Sequence, residues 1–415
     1  MPNVFVNSSM VAKEALRQLE NNLVMGNLVY RGYEEEWQKN PNGWNVGSTV
    51  TVKAPVYFRV KNGAAIDVVD LKERSTTFVV NYRKHIAWVV TAQEMTLDLD
   101  KFSKRYIQPA MQALANYIDL TLLSLYKNIP NQVGTPGTTP NTFYVFAEAG
   151  AVLDDEATPK DNRRCIIDPW AQANMADVLK GLFHQGIVGG AIKKGMIGQN
   201  IAGFDMYTSQ NVNTHIVGTW AALADIQKNL IAVEREATHS IKSATGVAQT
   251  VLQGDIFTYA AVNGVNPISG QSTGRLRQHV VDANTVMDGA GNVAALTATP
   301  GTTPYEINSS LALEEWLPYQ NIDTLAANNA PLTVAGTTGL VHKVNLAFHR
   351  DCLGLAMVPL EMPASVSWKA QESYNGYSVR VVRDYDVTND REFIRFDVLF
   401  GIKTLNPFLG CRIAG

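Results

Sequence analysis

The chain has few cysteines, no long apolar run and little net charge, and each shortage excludes a class of protein. Its 415 residues include three cysteines, Cys165, Cys352 and Cys411. An odd, scattered set is no disulfide framework and fits a reducing compartment. No apolar run approaches the ~20 residues that span a bilayer, and the N-terminus lacks the basic start and apolar stretch of a signal peptide. The sequence therefore predicts a cytosolic protein that is not exported by the secretory route.

The formal net charge of −3 gives no basic footprint for gripping nucleic acid. A protein can still enclose DNA without gripping it, so this argues only against a dedicated DNA binder. With 46% hydrophobic residues, 18% charged residues and 31 glycines, the chain is globular and rich in loops. Its length allows two to three domains.

Catalytic and metal-binding motifs are also missing from the sequence. It contains no His-Glu-x-x-His, paired Cys-x-x-Cys, Gly-x-Ser-x-Gly or Rossmann glycine pattern. The glycine-rich stretch 186–195 lacks the Gly-Lys-Ser/Thr ending of a Walker loop and does not join a strand to a helix N-terminus. Dispersed histidines lack a second ligand at metal spacing. They include His85 in a strand, His184 after a helix, His279 in a β-rich region and His349 ahead of Arg350-Asp351.

The run Asp154-Asp155-Glu156 is the one acidic cluster that we considered as a cation site. Its carboxylates could bind a divalent ion weakly, but a solvated acidic loop is the favoured interpretation. We therefore predict no catalytic residues, no cofactor, no metal and no enzymatic activity.

Residues 8–37 have apolar side chains at helical spacing, and Ser8 or Ser9 can cap the helix. The pattern fits an ordinary surface helix. The position ahead of any compact core favours an arm that contacts a partner.

Residues 48–91 are rich in residues that favour β-strands, on both sides of the turn signal Asn62-Gly63. They predict a long hairpin. An isolated hairpin is marginal in water, so it either lies on a neighbouring chain or is one hairpin of a larger sheet.

The strongest helical pattern covers residues 97–127, where Pro109 predicts a kink or a restart. Residues 128–141 are rich in Pro, Gly and Thr and predict a loop. Next, Cys165-Ile166-Ile167 predicts a short strand that ends at Asp168, and a helix begins with Pro169 near its first position. A second strand carries Gly203-Phe204-Asp205.

From residue 219 to residue 340, short β runs alternate with Gly, Thr and Asn, which is typical of a small inserted β-barrel. A short helix could follow Asn308. Residues 377–402 alternate with a period of two around a polar turn, so they predict a hairpin with one buried and one exposed face. From residues alone, the chain is an α+β protein with an inserted β module.

Several segments resemble, in order and spacing, the coat protein family of the Salmonella-type podoviruses, within the wider Hong Kong 97-type capsid fold. The resemblance runs from about residue 45 to the C-terminus. The segments are Pro109-Ala110-Met111-x-Ala113-Leu114-Ala115 leading to Ile118-Asp119, Ile167-Asp168-Pro169, Ile201-Ala202-Gly203-Phe204-Asp205, Gly254-Asp255-Ile256-Phe257 through Asn266-Pro267, and Asn345-Leu346-Ala347-Phe348-His349-Arg350.

The resemblance implies an α+β Hong Kong 97-type fold with seven segments. They are an N-terminal arm at 1–47, an extended β-hairpin loop at 48–92, the spine helix of the peripheral domain at 93–130, the first part of the axial domain at 131–218, the inserted β-barrel domain at 219–340, the second part of the axial domain at 341–376, and the terminal β-hairpin of the peripheral domain at 377–415. No clear match exists for the long charged loop by which relatives bridge neighbouring capsomers.

The same resemblance implies a major capsid protein that self-assembles as pentamers and hexamers into an icosahedral shell around phage double-stranded DNA. A scaffold-directed procapsid that expands on packaging is expected. The implied partners are other copies of the chain, a scaffolding protein, a portal protein, a decoration protein, and DNA enclosed without sequence-specific binding, with no membrane. The implied location is the virion capsid, after assembly in the bacterial host cytoplasm.

Two other functions stay open from the sequence. One is an encapsulin-like cellular compartment shell that encloses a cargo enzyme, and the other is a soluble enzyme or carbohydrate-binding β protein. Some relatives cross-link subunits by a Lys–Asn isopeptide bond, and Lys53, Lys61 and Lys72 lie in the corresponding region. Because these residue types are common, the absence of a cross-link is favoured.

Overall fold

The computed structural model describes the greater part of the chain and divides it into two compact units, each with its own sheets. The described ranges are 8–32, 49–53, 56–58, 60, 63–64, 73, 75–90, 103–179, 202–223, 225–229, 236–243, 245–302, 319–386 and 391–414. Unit 1 takes its described residues from 1–52, 76–122 and 353–403. Unit 2 takes its described residues from 53–75, 123–352 and 404–415.

Helices and strands have the following bounds. The α-helices of the described residues are α1 (Ser8–Asn22), α2 (Gln108–Leu123), α3 (Phe143–Asp155) and α4 (Pro169–Leu179). Their strands are β1 (Thr49–Lys53), β2 (Ser75–Val90), β3 (Gln132–Val133), β4 (Arg163–Ile167), β5 (Asp205–Thr208), β6 (Thr214–Ile216), β7 (Ile226–Lys228), β8 (Glu236–Ser243), β9 (Thr250–Val251), β10 (Ile256–Val265), β11 (Ser272–Val281), β12 (Thr285–Val286), β13 (Asn292–Thr302), β14 (Leu332–Val334), β15 (Val341–His349), β16 (Leu353–Met357), β17 (Trp368–Tyr374), β18 (Tyr377–Asp386), β19 (Arg391–Thr404) and β20 (Gly410–Ala414).

The sheet of unit 1 has the strand order β1-β2-β19-β18-β17, with β16 beside β19. The predicted terminal hairpin is its centre, since β18 and β19 pair antiparallel and β19 continues antiparallel onto β2. Val381 and Phe396 are opposite one another and fully buried, and Trp88 of β2 stacks on Phe396 at 5.3 Å between ring centroids. The run 75–90 is therefore part of a larger sheet, which was the second of the two interpretations of the predicted hairpin.

The other face of this hairpin is not solvent-exposed as predicted. Arg380 and Asp397 are directly opposite one another and both are buried. The Arg380 Nη2 atom is 2.7 Å from Asp397 Oδ2, and Arg395 Nη2 is 2.8 Å from the other carboxylate oxygen. Arg380 Nη1 also donates to the Glu361 carbonyl. Paired charges thus replace the exposed polar face that the alternation predicted.

Helix α1 is shorter than the predicted helix over 8–37. It ends at Asn22, and the chain then turns because the buried Asp119 carboxylate of α2 accepts hydrogen bonds from Val24 N and Gly26 N at 2.8 and 3.1 Å. Its apolar face packs against β17 and β18 of the same unit. Ser9 donates to Glu372 rather than capping the helix. Residues 8–32 therefore pack on their own unit, and the rest of the predicted arm lies outside the described residues.

The predicted spine helix over 97–127 is also shorter as an α-helix. A π-helical turn, Ser103–Ile107, precedes α2, and a 3-10 turn, Ser124–Asn128, follows it. The restart predicted at Pro109 is confirmed, because α2 begins at Gln108 and proline is tolerated in the first turn, where its missing N–H breaks no bond. The first residues of the predicted helix lie outside the description.

Unit 2 contains a central sheet with the strand order β3-β20-β15-β4-β5, and β6 also pairs with β15. The predicted strand–helix start is confirmed: β4 ends at Ile167, Pro169 is the first residue of α4, and the Asp168 carboxylate accepts a hydrogen bond from Trp170 N. The second predicted strand is confirmed as β5, parallel to β4. The glycine-rich stretch 186–195 lies outside the described residues.

Helix α3 was not predicted. Phe146, Ala149 and Leu153 bury its apolar face against the central sheet, in a core that also contains Cys165 and Cys411. The final strand β20 belongs to this sheet and not to the terminal hairpin. Likewise, residues 353–376 belong to unit 1. The two structural units therefore do not divide at the predicted boundary between residues 376 and 377.

The β-rich region predicted at 219–340 folds as a six-stranded sheet with the order β14-β10-β11-β13-β8-β7. Its two ends meet, because Gln227 forms a bridge with Pro331 and Lys228 N donates to Ala330 O at 3.0 Å. A closed sheet leaves no free edge. The predicted inserted β-barrel is therefore confirmed in architecture. The short helix predicted after Asn308 lies outside the described residues.

Candidate functional site

The barrel and the central sheet of unit 2 meet at a polar contact that we call the barrel junction. Its rim consists of arginines of β11 and acidic residues of α3. Arg277 Nη1 is 2.5 Å from Glu156 Oε1, and Arg275 Nη2 is 2.8 Å from Glu148 Oε1. Arg277 is 4% exposed in its side chain and its guanidinium lies 5.0 Å from the Phe408 ring centroid. The inner arginine is thus part of the interior, while Arg275 is half-exposed.

The acidic run interpreted as a solvated loop is the C-terminal end of α3 at this rim. Asp154 is 2.6 Å from Arg163, and the backbone carbonyl of Asp155 accepts a hydrogen bond from Asn266 of the barrel. Burial raises the pKa of Glu156, and Arg277 partly opposes that rise. The interpretation as a solvated loop is therefore wrong, because Arg163 pairs with Asp154 and the distant Arg277 pairs with Glu156.

A reciprocal amide contact joins β11 to β3. The Gln278 side-chain oxygen accepts a hydrogen bond from Gln132 N at 2.6 Å, and its Nε2 donates to Gln132 O at 2.9 Å. One glutamine of the barrel therefore satisfies both backbone groups of a strand in the central sheet.

The carboxylate of Asp255 is at the centre of the junction, in the turn that leads into β10. It is fully buried and accepts hydrogen bonds from four donor groups. The donors are Gly218 N, Leu252 N at 3.0 Å, Trp220 Nε1 at 2.8 Å and His215 Nε2 at 3.0 Å. A buried carboxylate with this many donors is well satisfied.

A buried arginine lies on the other side of the same turn. Arg412 of β20 is 1% exposed, and its Nη1 donates to the Gly254 carbonyl at 2.6 Å. Its guanidinium carbon lies 5.2 Å from the Tyr126 ring centroid, a cation–π distance. Tyr126 Oη is 3.2 Å from His215 Nδ1. The junction therefore contains a continuous series, Arg412, Tyr126, His215 and Asp255.

Burial shifts the pKa values of these groups. It lowers the pKa of Arg412 to about 10 and raises the pKa of Tyr126 to about 12. Burial, followed by the neighbouring His215 and Arg412, lowers the pKa of His342 to about 4. At neutral pH, Arg412 is charged, while Tyr126 and His342 are neutral.

No sequence pattern predicted a role for Arg412, Tyr126 or His215, and Asp255 stood out only within a segment that resembles the coat family. The available signal was a charged residue within the apolar C-terminal strand Gly410–Ala414. A charge in a strand buried on both faces requires a partner.

The histidines are dispersed in the sequence, but the structure brings some of them close together. His85 is exposed on β2, and His349 Nδ1 accepts a hydrogen bond from Asp351 N. His279 lies within the barrel, where its ring centroid is 5.1 Å from that of His239. His184 lies outside the described residues.

The described part of the chain contains no group of three or more His, Cys, Asp or Glu side chains that could hold a metal ion. Among the same residues, no helix is long and apolar enough to cross a membrane. Cys165, Cys352 and Cys411 are buried free thiols, and burial raises the pKa of each.

The family model of the P22 coat protein (gene protein 5) matches residues 3–415. The chain belongs to the P22 coat protein family. It is thus a phage major capsid protein, as predicted, and the predicted capsid fold with an inserted barrel is confirmed. The family assignment favours this function over the compartment shell and the soluble enzyme.

Individual relatives are distant. The chain is 20% identical over 392 residues to the major capsid protein of Acyrthosiphon pisum secondary endosymbiont phage 1, covering 89% of this chain and 90% of the relative. Among solved structures it is similar to Mycobacterium phage Che8, with 12% identity, a TM-score of 0.47, and coverage of 94% of this chain and 90% of that one. It is also similar to the CUS-3 coat protein I-domain, with 24% identity and a TM-score of 0.20, covering 27% of this chain and 95% of that one.

Proposed function

We propose that this coat protein assembles as pentamers and hexamers into an icosahedral shell enclosing double-stranded DNA, through a scaffold-directed procapsid that expands on packaging. Assembly takes place in the bacterial host cytoplasm. Its partners are other copies of the chain, a scaffolding protein, a portal protein and a decoration protein. The family match along nearly the whole chain is the observation that carries this proposal.

Exposed apolar side chains in the segment between β1 and β2 support contacts with a neighbouring subunit. Phe58 and Val60 are 70% and 98% exposed. In an extended chain, alternate residues point to the same side. Two such side chains together indicate a surface that a partner covers. We assign this partner as a second copy of the chain, and we assign the segment between β1 and β2, inside the predicted loop at 48–92, as the part that reaches it.

Shell closure follows from many modest contacts. Each interface is reversible by itself, which lets errors anneal, while simultaneous contacts make the closed shell persistent. Expansion is a change between two packed states of one fold. In this scheme the axial domain includes the described residues of 131–218, 341–352 and 404–415, which belong to unit 2, and the peripheral domain includes those of 93–122 and 353–403, which belong to unit 1.

No step of this function requires catalysis, a cofactor or a metal. A Lys–Asn cross-link is not part of the proposal, because Lys53 is 2.5 Å from Glu73, which gives its ammonium an ionic partner. Lys61 and Lys72 lie outside the described residues. A ladder of bands from purified shells on a denaturing gel would contradict this, whereas a single monomer band is expected.

Negative-stain microscopy of the purified chain, alone and with its scaffolding protein, tests the proposal. Closed shells, or spirals that become closed shells with scaffold, are expected. A uniform small particle that never polymerises would overturn it. Phe58→Ser and Val60→Ser should lower the yield of shells several-fold, whereas Val286→Ser, at a 64% exposed position in β12, should not.

A further inference from the structure

Arg412 is a buried cation whose hydrogen-bond donors are only partly satisfied by the described residues. Its Nη1 atom donates to Gly254 O, but Nε and Nη2 have no hydrogen-bond partner among the described residues. The charge of the nearby Asp255 carboxylate favours the charged form of Arg412, but the described residues show no salt bridge between the two groups. A buried cation with unsatisfied donors contributes little to stability or lowers it, and an apolar side chain of similar volume is often as stable or more stable.

Arg412 does fix the position of one backbone carbonyl of the barrel relative to the central sheet. The Gly254 carbonyl belongs to the turn into β10, where Gly254 has a φ of +97° that disfavours other residues. Asp255, the next residue, is fixed by its own donors on the opposite side. Arg412 of β20, whose guanidinium lies over the Tyr126 ring, therefore holds the Gly254 carbonyl oxygen of the barrel by a hydrogen bond. Apolar contacts tolerate sliding, while a charged hydrogen bond to a fixed carbonyl does not.

We propose that Arg412 is a positioning residue that fixes the orientation of the inserted barrel on the central sheet of the same subunit, and that shell closure depends on this orientation. The inference rests on the proposed shell assembly. Tyr126 and His215 extend the constraint, because the Tyr126 hydroxyl links the ring beneath Arg412 to the imidazole that holds Asp255.

Arg412→Met separates orientation from stability. It keeps a long side chain but removes the charge and the donor. The midpoint of urea unfolding should equal or exceed that of the native chain, while the fraction of closed shells should fall at least threefold in favour of open or spiral particles. Arg412→Lys, which keeps a charge and a donor, should give an intermediate fraction. Arg275→Met, at the half-exposed rim, is the matched control: it should leave the fraction of closed shells unchanged and should lower the unfolding midpoint only slightly, through loss of the pair with Glu148.

A distance measurement reports the orientation directly. Spin labels at Ile268→Cys on the barrel and Asp161→Cys after α3 are exposed, and the three native thiols are buried. The distribution of label distances should broaden in Arg412→Met and stay narrow in Arg275→Met. If Arg412→Met does not fold, Tyr126→Phe, which removes only the hydroxyl link, should broaden the distribution to a smaller extent.

Closed shells at the native frequency from folded Arg412→Met would overturn the inference, and so would an unchanged distance distribution. Failure of the native chain to form shells, with or without scaffold, would instead overturn the proposed function. The two failures are therefore distinguishable in one experiment.

Discussion

The core of the barrel and the core of the central sheet in unit 2 differ in composition. The core around Cys165, Phe146 and Ile413 is apolar. The barrel buries His239, His279 and Lys228 completely, next to Phe257 and Tyr259. The central core is therefore packed mainly from apolar side chains, whereas the barrel core also depends on the protonation state of two imidazoles.

The two buried imidazoles make the stability of the barrel dependent on pH. His279 Nδ1 donates to Pro300 O at 2.9 Å, and the Tyr259 hydroxyl lies 3.2 Å from His239 Nδ1. These contacts satisfy one nitrogen of each ring. Burial lowers the pKa of His239 well below its usual value and that of His279 to about 3, so both are neutral in the folded barrel.

The largest expected effect comes from truncating one aromatic in each core. Phe257→Ala in the barrel and Phe146→Ala in α3 should each lower the free energy of unfolding of its own core by about 3–5 kcal/mol. Hydrogen exchange measured peptide by peptide should show loss of protection in 256–281 for the first variant and in 143–167 for the second. Equal loss in both regions for either variant would show that the two cores unfold as one.

Acidification should weaken the barrel, and it should also weaken the junction side of the central sheet, where burial lowers the pKa of His342 of β15 to about 4. The unfolded chain takes up a proton on each histidine near pH 6.5, while the folded barrel keeps them neutral, so the stabilising difference is present above that pH and is lost as the pH falls toward 3. For His279, the loss between pH 7 and pH 4 is about 3 kcal/mol at about 1.4 kcal/mol per pH unit.

His279→Gln provides the control for this pH dependence. It keeps a donor for Pro300 O but does not titrate, so the slope of barrel stability against pH should decrease by about one proton. Urea unfolding followed by exchange in the barrel peptides, at several pH values, measures this slope. An unchanged slope would assign the acid sensitivity to other groups.

The sequence predicted those helices and strands whose ends are set by residues close to them in the chain. Pro169 after Asp168 marks a helix start through its fixed φ and missing N–H, and the glycine before Asp255 marks the turn into β10. The closed barrel and the terminal hairpin were predicted for the same reason, since turn residues and a period of two recur within short windows.

Helix α3 was missed because its start, Phe143-Tyr144-Val145, consists of residues that favour strands, and Gly150 lies in its interior. Burial of Phe146 and Leu153 against the sheet outweighs this propensity. The barrel junction could not be predicted either, because 158 residues separate Gly254 from Arg412. Only the assembled topology brings such groups together.

A smaller effect is expected when a hydroxyl replaces a thiol in the central core. Cys165→Ser should be less stable than Cys165→Ala by about 1 kcal/mol, because the hydroxyl is buried among apolar side chains while alanine leaves only a small cavity. Urea unfolding midpoints of the two variants make the comparison. Equal midpoints would mean that this core accepts a polar group as readily as the barrel does.

The smallest effect is expected at the rim of the barrel junction. Arg275 and Glu148 are partly exposed, so their coupling energy in a double-mutant cycle should be about 0.2–1 kcal/mol and should decrease in high salt. Urea unfolding of Arg275→Ala, Glu148→Ala and the double variant gives this energy. A value above about 2 kcal/mol would mean that the rim also holds the barrel in place. A value in the expected range leaves the orientation of the barrel to the buried centre, where Arg412 meets the carbonyl of Gly254.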